Sequence, residues 1–295
     1  MFGMNPAKVW LLLGLVCACF GQETENWLLS DAARLSPTET QSLLTQICPD
    51  HAYEAGCHVC PEGTAGGAGN WELRAIFLAH FLTPSSQDAL VSGFGCEPHA
   101  DGFGGSFLFA RKGSSWSRVR YIAGMIAWDC KKLVGSDGRD RLVCGQVDGG
   151  QGHLSSWLYL LDPGVDLTKT DTLEPQFRTH SFQDNRGVTF FSVEDTTGAN
   201  ETPVQRGFIE RVEFAGLASK HQSRIIVLAR LGRADVPAEV LKNRASGAGP
   251  DPNIVTLPRR YEFVFDGAVV LAAPNNPPLD GFTAEPPLTS YSVGK

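Results

Sequence analysis

Eight cysteines punctuate the chain, and their placement constrains its fold more than any other feature. Cys17 and Cys19 lie in the opening stretch MFGMNPAKVWLLLGLVCACFGQ, where Lys8 precedes an apolar run from Val9 to Val16 and small residues follow before the polar QETEN. That layout predicts a secretory signal peptide over 1–21, because the run is too short to cross a bilayer. Val16-Cys17-Ala18-Cys19 also has the outline of a degenerate lipobox, which offers Cys19 as a lipid anchor. An exported chain meets an oxidising compartment, so Cys48, Cys57, Cys60, Cys96, Cys130 and Cys144 predict three disulfides. Cys130 and Cys144 bound CKKLVGSDGRDRLVC, two apolar runs around an acidic, glycine-containing loop. Pairing them across a hairpin closes a loop of about 15 residues and contributes on the order of 3 kcal/mol. The partners of Cys48, Cys57, Cys60 and Cys96 stay open.

A formal charge of −7 and a pI near 5.5 argue against nucleic acid or anionic lipid as the partner, since both require clustered cations. Ser36-Pro37-Thr38-Glu39 combines an N-cap serine, a proline at the first helical position and a glutamate three residues after the cap. A helix follows, with Leu43, Leu44 and Ile47 on one face, and it stops at Cys48-Pro49. Residues 22–70 thus read as a capped helix and a Cys/Gly-rich loop, 71–273 as a β-rich domain, and 274–295 as a proline-rich tail, extended on the surface or without fixed structure.

Within 71–273 three segments share one plan: an apolar strand, a polar loop, then a polar residue opening a second strand. They are AIFLAHFLTPSSQDALVSG from Ala75, AWDCKKLVGSDGRDRLVCG from Ala127 and RVEFAGLASKHQSRIIVLA from Arg211, with Asp88, Asp140 and Arg224 at the common position. A second pair of strands follows each, led by Phe107, Leu158 and Phe263. Asp88 and Asp140 are 52 positions apart and Phe107 and Leu158 are 51 apart, so the first two units keep one period, in the range of propeller blades. The fold class expected is mainly β, built from antiparallel hairpin repeats as a partial propeller-like stack or a sandwich, with a short N-terminal helix and disulfides.

The loop GSDGRDRLVC resembles the loops of FG-GAP or VCBS repeats, in which spaced acidic ligands around an Asp-Gly precede an apolar strand. The resemblance implies calcium as the cofactor, with Asp137 and Asp140 as ligands. Calcium takes about six to eight oxygens. The positions two and four before Asp137 are Gly135 and Leu133, which offer no side-chain oxygen, and Asp-Gly is also an ordinary turn.

Three other groups could carry chemistry. Cys48, His51, Cys57, His58 and Cys60 have the spacing of a tetrahedral zinc site, in competition with disulfides. The loop Gly95 to Gly105 gathers Glu97, His99 and Asp101, the candidates for acid–base work, with His80, His153 and Asp129 as candidate neighbours in space. Trp71, Trp116, Trp128 and Trp157 fall in or beside strands and suit either a core or a sugar-stacking platform. No Gly-x-Ser-x-Gly, His-Glu-x-x-His or P-loop motif occurs. The reading expected from sequence is an exported, non-catalytic protein that binds another protein, a peptide or a glycan at the cell envelope. The alternative is a secreted hydrolase with a dispersed site around His99 and Asp101.

Overall fold

The computed structural model describes residues 28–48, 52–53, 56–65, 69–98, 103–150, 153–165, 188–198, 202–216, 222–245, 253–279 and 281–282. Helix α1 (Pro37–Ile47) precedes a short pair, β1 (Ala52–Tyr53) and β2 (Gly56–Cys57). Three groups of four strands follow: β3 (Trp71–Ala79) to β6 (Ser115–Ala123) through β4 (Asp88–Phe94) and β5 (Gly104–Lys112); β7 (Asp129–Val134), β8 (Asp140–Gly150), β9 (His153–Leu161) and β10 (Val188–Asp195); and β11 (Val204–Gly216), β12 (Ser223–Ala234), β13 (Leu257–Phe265) and β14 (Val270–Ala272). Helix α2 (Ala238–Ala245) lies between β12 and β13. Each group is an antiparallel meander with sequence neighbours paired, and β1 and β2 extend the first sheet. The chain is mainly β, as expected. Asp88 and Asp140 open β4 and β8, and Arg224 is the second residue of β12.

The sheets stack, and strand parity shows how. Ala89, Val91, Phe107 and Phe109 of the first sheet share a core with Leu43, Leu44 and Ile47 of α1. Between them in sequence, Leu90 and Leu108 join a second core with Cys130, Leu142, Cys144, Tyr159 and Leu161 of the middle sheet. The alternate positions Leu133, Val143, Leu158 and Leu160 face a third core with Ile225, Val227, Ala229 and Phe263 of the last sheet. The order is therefore helix, first sheet, middle sheet, last sheet. Central strands are buried on both faces, which is why Ala89-Leu-Val and Trp157-Leu-Tyr-Leu-Leu are continuous apolar runs without alternation.

Local chemistry fixes the ends of these elements. Ser36 Oγ accepts from the Glu39 amide (3.3 Å) while the Glu39 carboxylate accepts from the Ser36 amide (3.3 Å), completing the capping box. At Gly93 a β-carbon would stand 2.1 Å from the Trp71 indole, so only glycine lets that ring lie flat across β4. All six cysteines pair, as Cys48–Cys57, Cys60–Cys96 and Cys130–Cys144. The last pair is a cross-strand partner pair of β7 and β8, buried in the second core.

Two segments differ from expectation. Residues 28–35 do not stand apart from the β domain: Leu28 enters the third core, Asp31 N–H donates to Cys130 O (2.8 Å), and Ala33 N–H donates to Ile76 O (2.7 Å). They form a strap across the sheets. The proline-rich tail is not simply a surface appendage either, because Phe282 is buried in the third core and Glu194 N–H donates to its carbonyl (2.8 Å). Prolines keep residues 274–279 from forming a ladder, yet Phe282 still fills the gap between two sheets. The signal-like stretch with Cys19, the segment 166–187 and residues 283–295 lie outside the described residues.

Candidate functional site

Asp88 and Asp140, which open β4 and β8, are structural anchors. Asp140, buried at the start of β8, accepts at Oδ2 from the His80 amide (2.8 Å), and its own amide donates to His80 O (2.9 Å). Asp88, equally buried, accepts at Oδ2 from Leu82 N–H (2.8 Å) and Ser86 Oγ (2.5 Å). Both therefore hold the β3–β4 loop, satisfying amides that the chain reversal leaves without ladder partners.

Asp137 sits in the adjoining β7–β8 turn, where Gly138 takes φ +78°. Its Oδ1 accepts from the Arg139 amide (3.0 Å) and Arg141 Nη1 (3.0 Å), and its Oδ2 from Arg139 Nε (2.8 Å) and Arg141 Nη2 (3.0 Å). The same two guanidinium groups clamp Asp162, Arg139 by two bonds of 3.0 Å and Arg141 Nε at 2.8 Å. The hydrogen bond from Arg141 leads the effects that hold the Asp137 carboxyl well below the usual carboxylate range, against an opposing desolvation. Burial weakens the charge on Arg139, but Asp162 and Asp137 outweigh it and raise its pKa. Asp137 and Asp140 thus point to different partners, and guanidinium nitrogens stand where the calcium reading places a cation. Among the described residues no group of three or more His, Cys, Asp or Glu is placed to hold a metal. Cys48, Cys57 and Cys60 are in disulfides and offer no thiolate for zinc; His51 lies outside the described residues and His58 is exposed.

At the opposite end of the first sheet, His99 and Asp101 lie outside the described residues. Glu97 is buried and accepts at Oε1 from Tyr121 OH (2.8 Å) and the Ala65 amide (3.1 Å), so it ties the cysteine-rich loop to β6. His80 is not a neighbour of this loop. It follows Ala79, whereas the loop leaves from Phe94, which pairs with Glu72 at the start of β3, roughly 27 Å away along the strand. Asp129, next to Trp128, stands at the loop's end of the molecule, and burial pushes its carboxyl pKa up. His153 opens β9, with Nδ1 2.9 Å from Glu194 Oε1.

What gathers beside the loop is aromatic and cationic. Cys96 and Phe103 adopt φ +67° and +59°, uncommon for residues with a β-carbon, and the turn so formed leaves Phe103 42% exposed. Its ring lies 6.0 Å from Phe94, which in turn lies 6.1 Å from Trp128. Arg74 spans the Phe94 ring (5.6 Å) and the Trp128 ring (6.0 Å) and pairs with Glu72 (3.0 Å). Of the four tryptophans named from sequence, Trp71 is fully buried against Phe107, and Trp116 and Trp157 pack against cores, so Trp128 alone joins this patch. Arg74, Phe94 and Phe103 are not conspicuous in the sequence; the one local signal is that Phe94 precedes the glycine-rich loop and Phe103 lies within it.

No family model matches the chain. Nor does any curated protein or solved structure match it. The patch is therefore read from its own chemistry. It joins a cation stacked on two rings, a half-exposed third ring and flanking carboxylates, on a turn tied down by Cys60–Cys96. Such a surface can bury apolar area and still offer charge-assisted hydrogen bonds at its edge.

Proposed function

We propose that this protein is an exported, disulfide-stapled β scaffold that binds another protein at the cell envelope through the surface of Arg74, Phe94, Phe103 and Trp128. The observation that supports it is the stacking of Arg74 over Phe94 and Trp128 beside an exposed Phe103. Aromatic residues and arginine dominate the energetic centres of protein interfaces, and here Arg74 and Phe94 stand on paired strands of the first sheet. Arg74 already covers two ring faces, which favours a protein or peptide partner over a stacked sugar.

The test is capture from envelope extracts by the immobilised mature chain, alongside the variants Phe103→Ser and Arg74→Ala. A protein retained by the parent and released about 30-fold more readily by either variant, with melting temperatures close to the parent, supports the reading. Equal retention by parent and variants would sink it, and retention of glycan alone would reassign the ligand. The hydrolase reading draws on one observation, the His153 ring held by Glu194 as an oriented acid–base pair. It requires a hydrolytic activity that disappears in His153→Gln while folding is retained.

A further inference from the structure

The last sheet carries a second surface, on different elements and with different chemistry. Along β12, Ile225, Val227, Ala229 and Leu231 face the middle sheet, and the next residue of that row is Arg233. Along β13 the row runs back from Phe265 through Phe263 and Tyr261 to Arg259 and Leu257, which pair with Ala229 and Leu231. Two arginines thus stand in rows that are apolar everywhere deeper in the stack. They line a cleft of about 250 Å³ at the mouth of the third core, with Leu231 and Phe282 at its floor and Val255 and Leu257 at its rim.

Neither cation is neutralised there. Among the described residues Arg259 makes no ion pair and no Asp or Glu lines the cleft. Arg233 is held in place rather than neutralised: with the Gln205 amide assigned the orientation that satisfies both neighbours, its oxygen accepts from Arg233 Nη2 (3.1 Å) and its nitrogen donates to Gly281 O (3.0 Å), and the guanidinium lies 5.9 Å from the Phe282 ring. The rim is strongly apolar, with Val255 75% and Leu257 56% exposed. In a chain of net charge −7, two unpaired arginines over an apolar floor form a local reversal of charge suited to an anion that carries an apolar group.

We propose that this cleft captures the C-terminus of a peptide. The α-carboxylate lies between Arg233 and Arg259, the apolar last side chain rests on Leu231 and Phe282, and preceding residues run over Val255 and Leu257. The size favours this occupant over a free acyl chain, because the cleft is smaller than the roughly 300–1,000 Å³ of pockets that engulf small molecules. Capture of a terminal carboxylate is also a recurrent mode of peptide recognition.

The experiment is a fluorescence-anisotropy titration of the whole protein with a labelled hexapeptide ending in leucine as the free acid, and with the same peptide amidated. The free acid should bind at least about tenfold tighter than the amide, the scale of a charge-assisted hydrogen bond. Arg259→Gln should erase that difference without moving the melting temperature, since the Arg259 side chain makes no hydrogen bond or ion pair among the described residues, and Val255→Ser with Leu257→Ser should weaken both peptides alike. Equal affinity for acid and amide, or an unchanged preference in Arg259→Gln, overturns the proposal. Octanoate displacing the peptide at a concentration below the peptide's own Kd overturns the peptide assignment in favour of a free acyl carboxylate. Failure here leaves the Arg74 patch standing, because the two surfaces share no residue.

Discussion

The middle sheet is buried on both faces, and two leucines test this. Leu142 on β8 is fully buried in the core shared with the first sheet; Leu158 on β9 is fully buried in the core shared with the last. Leu142 pairs with Leu161 and Leu158 with Gly145, so the two lie three register positions apart, roughly 10 Å, on opposite faces. Each Leu→Ala change removes buried methyl groups and leaves a cavity, at a cost of about 3 kcal/mol within a usual range of about 2–5. Urea unfolding under oxidising conditions measures it, and with a slope of roughly 3 kcal/mol/M each variant should lose about 1 M in midpoint. Because they disturb separate cores, the double variant should be additive within about 0.5 kcal/mol. If the middle sheet instead faced solvent on one side, one of the two would behave as a surface change and cost about 0.5 kcal/mol or less. That asymmetry, in either direction, would refute the stack.

Replacing Cys130 and Cys144 by alanine should destabilise by about 3 kcal/mol through loss of loop closure, seen as a lower melting temperature that reductant no longer alters at this site. Asp140→Ala removes the acceptor of the part-buried His80 amide hydrogen bond and should cost about 1 kcal/mol, whereas Asp140→Asn keeps an acceptor and should cost less in the same urea assay. Asp137 has a depressed folded-state pKa, so its stabilisation is present above the unfolded carboxylate value near ~3.9 and is lost as pH falls through the folded value. The group is 43% exposed, which limits the effect to about 1 kcal/mol or less, and Asp137→Asn should flatten the stability profile below about pH 4. Millimolar calcium should leave the melting temperature of metal-stripped protein unchanged, because guanidinium groups occupy both oxygens of Asp137; a rise abolished by Asp137→Ala would restore the FG-GAP-type reading.

What the sequence disclosed depended on how local the physics was. Ser36 and Glu39 announce a capping box because both partners lie within one helical turn. The offset of Asp88 and Asp140 survives as the start of β4 and β8, but only Asp88 works locally, accepting from Leu82 six residues back, whereas Asp140 accepts from His80 sixty residues away. Cys130 with Cys144 was legible since one hairpin joins them, whereas Cys60 with Cys96 depends on where a separate loop docks. The aromatic patch was the least legible. Arg74 and Phe94 meet only through the Glu72↔Phe94 register, which the bulge between Leu73 and Ala75 shifts, and no single-strand pattern encodes that. The role of Asp137 was half legible. Arg139 and Arg141, two and four residues on, could have been read as its partners by the same spacing argument that made it a calcium ligand.

The two ends of the stack explain why it stops at three sheets. An exposed apolar sheet face invites another layer, and each terminal sheet avoids this differently. The first sheet buries its outer face under α1, held close by Cys48–Cys57 in the same core. The last sheet puts Arg211 beside Glu213 (2.8 Å), Arg230 near Glu210 (3.9 Å), and Arg224 and Arg260 on Glu262 along its outer face. Stacking a fourth sheet there would desolvate four arginines and three glutamates, a cost of several kcal/mol per ion that apolar contact would not recover. Closing a propeller takes about four or more blades and two apolar terminal faces that can meet. This chain has a helix on one such face and an ion-pair lattice on the other, so its three sheets build an open stack. In an open stack the mouths between sheets remain accessible at the edges, and the Arg233–Arg259 cleft is one of them.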